Sequence, residues 1–279
     1  MRYRFLILFL LILISCNKEK EKKKEENIRI VSLAPSITKI LFRLELQDKI
    51  VGVTDFCEYY GEIEKLVKLK KIRRVSGFYI INYENILSVN PDYILGTDSI
   101  SYENKIQMEK IFSDKKIYWF VHPADFEGIK REIIEIGNIF NRKNKAKLLI
   151  KDIDNLLDEI QNKIKDKKEK PKILVEIFYP PFTTAGKNTF ISDIIIKAGG
   201  RLSLSLNDNW PVVSLEDIIA SDPDLVIKTH LANTSDELRL IRCYRENRIF
   251  IPKDIDIFLQ PCYDSIFAVK ELYEYLYEK

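Results

Sequence analysis

Two hydrophobic periods alternate along this chain. Short apolar runs bounded by Pro, Gly or Asp read as buried strands, and stretches with an apolar residue every three or four positions read as helices. Residues 28–33 predict a strand, Ala34-Pro35-Ser36 breaks it, and 37–46 has helical spacing. Residues 50–53 predict a second strand, followed by an aromatic loop through Phe56, Tyr59 and Tyr60. Residues 101–112 read as helix and 116–121 as a strand, with Trp119 expected to be buried inside it. In the second half, 172–178 reads as a strand, followed by the loop YPPFTTAGKN, a helix to Lys197 and a break at Gly199-Gly200. Further on, 234–242 reads as helix, 249–251 as a strand and the C-terminal stretch as helix. Between the halves, residues 126–168 carry Ile129, Ile133, Ile136, Phe140, Leu149, Ile153, Leu156, Ile160 and Ile164 among charged residues. That periodicity predicts one long amphipathic helix, with a bend near residues 141–144. At 1.5 Å per residue it would reach about 60 Å.

One segment occurs twice. Residues 84–95 read ENILSVNPDYIL and residues 216–227 read EDIIASDPDLVI. Each predicts a short helix, a stop at Pro91 or Pro223, and a buried strand. The alternation of strands and helices implies βαβ units and a mostly parallel sheet. The repetition half a chain apart implies two related lobes with a cleft between them, where function is expected.

The N-terminus differs in kind. In MRYRFLILFLLILISC, Arg2 and Arg4 precede an apolar core too short for a membrane-spanning helix of about 20 residues. Ser15-Cys16 closes it, so residues 1–15 are expected to be a signal peptide and Cys16 the lipidated first residue, as in bacterial lipoproteins. Residues 16–27 then form a polar tether. Cleavage removes two of the positive charges behind the formal net charge of +3, and no basic patch points to a nucleic-acid partner. Cys57, Cys243 and Cys262 have no framework spacing, so a disulfide pair is left open. His122 and His230 are too isolated for a metal cluster; a structural role is expected, with an axial haem ligand the alternative. The string AGKNT lacks the earlier glycine of a phosphate-binding loop, because Pro181 stands there. No catalytic constellation is present in the sequence, and no enzyme activity, cofactor or resident metal is expected.

The segments IRIVSLAPSITKILFRL, VGVTDFCEYY, RVSGFYIINYENILSVNPDYIL, YPPFTTAGKNTFISDIIIKAGG and NWPVVSLEDIIASDPDLVI together resemble the cobalamin and ferric-siderophore class of ABC-transporter substrate-binding proteins. The resemblance covers residues 28–279 and is nearest to the cobalamin-binding branch. It implies the class III periplasmic-binding-protein fold: α/β, two Rossmann-like lobes (28–125 and 169–279) joined by one bridging helix (126–168). It also implies a lipid-anchored protein of the cell envelope, expected to be a monomer. Such a protein would capture a corrinoid between its lobes and deliver it to a permease and its ATPase. A ferric siderophore or haem is the alternative ligand, and adhesion or sensing the alternative use of the fold.

The resemblance assigns roles residue by residue. Glu84 and Glu216 would each pair with the permease. Their place in a first helical turn, after the N-cap candidates Asn82 and Ser214, also suits simple dipole stabilisation of about 0.3–1 kcal/mol. Phe56, Phe78, Phe182 and Trp210 would line the ligand cleft, with Tyr59, Tyr60 and Tyr79 weaker candidates; core packing is the alternative for each. The chain departs from the family at Lys39, where Glu is usual, and at Gln260-Pro261-Cys262-Tyr263-Asp264, where Arg-Pro-Gly-Pro-Arg is frequent. The missing arginines argue against an anionic siderophore complex.

Overall fold

The computed structural model describes residues 27–59, 61–77, 80–230 and 236–278, so Cys16, Tyr60, Phe78 and Tyr79 lie outside the described residues. The chain divides into two units. The first contains residues up to 38 and 45–120, and the second contains 39–44 and 121 onward.

In the first unit, β1 (Ile30–Ser32), β2 (Ile50–Thr54), β3 (Arg73–Ser76), β4 (Tyr93–Thr97) and β5 (Lys116–Phe120) form a five-stranded sheet in the order β3-β2-β1-β4-β5. Every pairing in it is parallel. The helices between these strands in sequence are α1 (Pro35–Arg43), whose residues from 39 on belong to the second unit, α2 (Gly61–Lys68), α3 (Tyr83–Ser88) and α4 (Tyr102–Ile111). Val31, Val75, Ile86, Ile94, Met108 and Phe112 are among the residues that close one core. Trp119 is half-buried rather than enclosed, because β5 is an edge strand. Its ring lies over Gly96, where a Cβ would come within 2.6 Å, and its Nε1 donates to Glu109 Oε1 at 3.1 Å.

In the second unit, β6 (Lys172–Glu176), β7 (Arg201–Leu202), β8 (Leu225–Lys228) and β9 (Ile249–Phe250) form a parallel sheet in the order β7-β6-β8-β9. The stretch predicted as one long helix is two: α5 (Phe126–Ile139) and α6 (Lys143–Ile164). Asn141 adopts a φ of 55°, and Arg142 N donates back to Gly137 O at 2.6 Å, a helix stop that Asn tolerates. Lys130 Nζ then reaches Asp154 Oδ1 at 2.8 Å, 24 positions on. One continuous helix would hold those residues about 36 Å apart, so α5 and α6 fold back on each other. Both helices belong to the second unit. The remaining helices are α7 (Phe190–Lys197), α8 (Leu215–Ser221), α9 (Arg242–Arg245), α10 (Asp256–Leu259) and α11 (Ser265–Tyr277).

The repeated segment has the same physical role in each unit. Asn90 and Asp222, each before a proline, take φ values of 38° and 42° and end α3 and α8. The next acid ties the repeat's strand to the first strand of its sheet: Asp92 Oδ2 accepts from Arg29 N, and Asp224 Oδ2 from Lys172 N, both at 2.9 Å. The basic side chain at that point reaches back to the helix end, Arg29 Nε to Val89 O at 3.0 Å and Lys172 Nζ to Ser221 O at 3.1 Å. Pro-Asp in the repeat is thus a register lock, made twice.

Candidate functional site

In a parallel sheet the groups available to a ligand gather beyond the carboxyl ends of the strands. In the first unit a pocket of about 460 Å³ opens there, beyond β2 and β3, lined by Asp55, Phe56, Arg74, Ser76, Ile80 and Asn82, beside Gly77 and Asn85. Phe56 is 48% exposed. The short 3-10 turn that carries it (Asp55–Tyr59) is pinned from beneath by a buried polar network. Thr38 Oγ1 donates to Ser32 Oγ at 2.8 Å, and Cys57 Sγ lies 3.3 Å from Thr38 Oγ1 and 3.2 Å from Thr54 Oγ1. Burial pushes the Cys57 thiol above its ordinary pKa, which keeps it an inert packing group.

In the second unit the chain leaves β6 through Phe178 into a turn containing two cis prolyl bonds. Phe178 bridges Thr183, and Thr183 bridges Val212, both antiparallel. Directly opposed residues share a face, so Phe178 and Val212 lie on one side of this small ribbon; Trp210 stands in the bend just before Val212. All three are open: Phe178 is 53%, Trp210 51% and Val212 64% exposed. The Trp210 loop is fixed by Gly186 N to Asn209 O (2.9 Å), Thr184 N to Pro211 O (3.0 Å) and Lys187 N to Leu206 O (2.9 Å). The string AGKNT therefore serves as the seat of that loop. Phe182 is placed differently from the expectation. It is 4% exposed and packs with Leu174, Ile218, Val226 and Tyr244, so it offers no open face. The bridge partner Thr183 faces out, and the strand alternation turns its neighbour Phe182 inward.

Beside this face, where β6 and β8 end, a buried polar cluster was not anticipated. Glu176 pairs in register with Lys228 and is 1% exposed. Tyr244 Oη donates a short hydrogen bond to Glu176 Oε2, and burial followed by the Glu176 charge drives the phenol pKa strongly upward. His230 Nε2 lies 2.9 Å from Glu176 Oε1, a distance at which a charged imidazole pairs, although out of line for a hydrogen bond. The His230 side chain is 20% exposed. His122 is exposed in the loop after β5.

Glu84 and Glu216 are each the second residue of their helix and both are exposed. Asn82 and Ser214 are the N-caps: Asn82 Oδ1 accepts from Asn85 N at 2.9 Å and Ser214 Oγ from Asp217 N at 3.1 Å. The two departures from the family pattern fall within the second unit. Arg43 pairs with Asp264 and lies over the Tyr263 ring at 5.3 Å. Lys39 is buried, and its charge acts against the burial that raises the Asp256 carboxyl. Cys57, Cys243 and Cys262 are buried thiols, and no disulfide forms among the described residues. Burial pushes Cys243 and Cys262 up to about 11. Among the described residues no His, Cys, Asp and Glu grouping could hold a metal ion. No helix there is long and apolar enough to cross a membrane.

Comparison with known proteins is consistent with this architecture. Residues 30–240 match the family described as periplasmic binding protein. The chain is 28% identical to the ABC transporter substrate-binding lipoprotein YvrC of Bacillus subtilis over 74% of this chain and 64% of that protein. It is 24% identical to the vitamin B12-binding protein of Photorhabdus laumondii, covering 77% and 74% of the two chains. It is 25% identical to the high-affinity heme uptake system protein IsdE of Staphylococcus aureus, covering 53% and 50%. The match thus spans between half and three quarters of these relatives. A periplasmic binding protein from Veillonella parvula superposes with a TM-score of 0.76 at 24% identity, over 91% of this chain and 92% of that one. A possible iron-binding, periplasmic solute-binding protein from Staphylococcus epidermidis gives 0.75 at 26% identity, over 89% and 98%.

Proposed function

The chain belongs to the periplasmic binding protein family, and from that premise we propose that it is the solute-binding protein of an ABC importer, with a corrinoid as its ligand. The observation that carries this reading is the exposed group Phe178, Val212 and Trp210, the first two bridged through Thr183 and the third on a loop held by backbone hydrogen bonds. A flat macrocycle needs broad apolar contact and few hydrogen bonds, and rigid aromatics supply it at low entropic cost. No bond is made or broken in this role; the relatives are likewise named as binding proteins. A second reading, haem, is favoured by one feature. His230 follows β8 at the carboxyl end of the second sheet with its side chain 20% exposed, and an imidazole there is a candidate axial ligand. Native mass spectrometry of the purified chain with cobalamin, haem and a ferric siderophore decides among them. We expect a one-to-one cobalamin complex. Retention of none of the three would remove the capture function as stated.

Two attachments complete the proposal: lipid at Cys16 and permease contacts at Glu84 and Glu216. Both glutamates are exposed at capped helix starts and make no ion pair among the described residues, which suits acids kept for a partner's arginines. In cells, Glu84→Ala with Glu216→Ala is expected to leave ligand binding intact and lower uptake at least about tenfold, as for loss of interface charge pairs. Cys16→Ser is expected to lose metabolic labelling by palmitate. Undiminished uptake by the double variant would leave those acids only their helix-dipole role, and equal labelling of Cys16→Ser would end the lipid assignment.

A further inference from the structure

We propose that the turn between α2 and β3 is a contact site for anionic phospholipid headgroups and lays the amino-terminal edge of the first unit's sheet on the membrane; this rests on the lipid anchor at Cys16 and names how the anchored unit stands. Between Glu64 and Glu84 the chain holds Lys65, Lys68, Lys70, Lys71, Arg73 and Arg74 and no acid. Cleavage after Ser15 leaves 43 bases against 42 acids, so outside this stretch the mature chain carries 37 bases against 42 acids. The positive charge is therefore local, in a chain that is otherwise net acidic. Lys65 and Lys68 stand in the last turn of α2, where a base also complements the helix dipole. That role does not extend to Lys70 and Lys71 beyond the helix, or to Arg73 on β3. Lys68 pairs with Glu64, whereas Lys65, Lys70, Lys71 and Arg73 are exposed and make no ion pair among the described residues. The backbone holds the turn: Lys70 N donates to Val67 O at 2.8 Å and Lys71 N to Leu66 O at 3.0 Å. Leu69, in the midst of these bases, is 58% exposed. Bases around an exposed leucine suit a lipid surface, because the charges attract phosphates and the apolar side chain enters the headgroup layer.

The fold places this turn where the anchor pulls. The pairings are parallel, so the amino ends of β1, β2 and β3 share one edge of the sheet. Arg73 stands in register with Gly52, and Gly52 with Val31, two strand spacings or about 10 Å across. The chain from Cys16 enters at β1, and its residues 17–27 can span at most about 40 Å. Lipid at Cys16 therefore keeps this edge within reach of the membrane. The carboxyl ends of the strands lie opposite, where Phe56 follows β2 and α3 with Glu84 follows β3. Headgroup contact at the turn directs the Phe56 and Glu84 end toward solvent, from which ligand arrives. The contact must break before Glu84 can meet a permease in the same membrane, and the screening of charge by salt makes it reversible.

The test is acylation of lysines by a membrane-impermeant reagent, read by mass spectrometry on the full chain purified from cells and reconstituted into vesicles. One set of vesicles is phosphatidylcholine alone, and the other also contains phosphatidylglycerol. At low salt Lys65, Lys70 and Lys71 are expected to react at least about fivefold more slowly on the anionic vesicles, and about 0.5 M salt should remove the difference. Lys147 and Lys151, exposed on α6, are the internal reference and should react equally on both. Lys70→Gln with Lys71→Gln is expected to reduce the protection of Lys65 to less than about twofold, and Leu69→Ser to reduce it in part. All three substituted residues are exposed, so melting should not change. Equal rates on the two lipids, whether fast for a bare patch or slow for one covered by a second copy, would overturn the membrane contact and leave the anchor standing. A chain that fails to float with the neutral vesicles would overturn the lipid anchor and this contact with it.

Discussion

Gly186→Ala is expected to lower the melting temperature by about 6–12 °C and to weaken ligand binding at the same time. The cause is steric. A Cβ at position 186 would lie 1.8 Å from Asp208 O and 3.0 Å from Leu206 O. Both obstacles are backbone, so no rotamer change relieves them; the 206–209 segment must move as a piece. That movement breaks the hydrogen bonds from Gly186 N to Asn209 O and from Lys187 N to Leu206 O. Overpacking of this kind, with lost backbone bonds, costs on the order of 3 kcal/mol, and about 2–4 °C accompanies each kcal/mol in a chain of this size. Gly52 is the internal comparison. A Cβ there meets the Val75 side-chain methyls at 2.8 Å, and a side chain can yield where a carbonyl cannot. Gly52→Ala should therefore cost less. Thermal melts of both variants check the ranking, and a Gly186→Ala melt within about 1 °C of wild type would show that the loop is not seated as described.

Much of the fold was legible because its signals are local. The Pro-Asp breaks marked the repeat, and its strands β4 and β8 each lie against the first strand of their sheet. The N-caps at Asn82 and Ser214 followed from residue type and spacing. What was not legible depended on partners distant in sequence. The polar stretch at residues 141–144 reads as a bend, because α5 and α6 each bury one face of the same period; the backbone of Asn141 makes it a full reversal. β3 escaped notice because Arg73 and Arg74 are exposed and only Val75 and Ser76 face inward. Phe178 was absorbed into the predicted strand, and Val212 has no marking of its own; only their bridges through Thr183 bring them beside Trp210. The Glu176–Tyr244 pair joins residues 68 positions apart, and no spacing rule announces it. Lys39 and Asp264 looked like separate departures from the family pattern. In the structure Lys39 acts on Asp256 and Asp264 pairs with Arg43, so each departure finds an opposite charge within the second unit.

Trp210→Ala is expected to weaken ligand binding by about 30-fold and to leave folding stability almost unchanged. The two halves of that expectation come from one observation, that Trp210 is 51% exposed on a loop held by backbone hydrogen bonds. Removing the indole opens no cavity and breaks none of those bonds, so the stability change should stay within about 0.5 kcal/mol. Binding is different. A central aromatic anchor that a ligand fully covers contributes about 2 kcal/mol or more, and that figure corresponds to the stated loss in affinity. Trp210→Phe keeps an aromatic face and should lose less than about fivefold. Phe182→Ala supplies the contrast, since that ring is 4% exposed within the core and its removal should cost about 3–5 kcal/mol of stability. The measurement is calorimetric affinity for the ligand retained in the mass-spectrometric screen, paired with a thermal melt of each variant. Quenching of fluorescence would not suffice, because Trp119 emits as well and energy transfer to a coloured ligand reaches both indoles. Equal affinity for wild type and a Trp210→Ala protein that melts normally would show that the exposed face of the second unit does not hold the ligand. In that case capture would have to rest on surfaces other than the group Phe178, Val212 and Trp210.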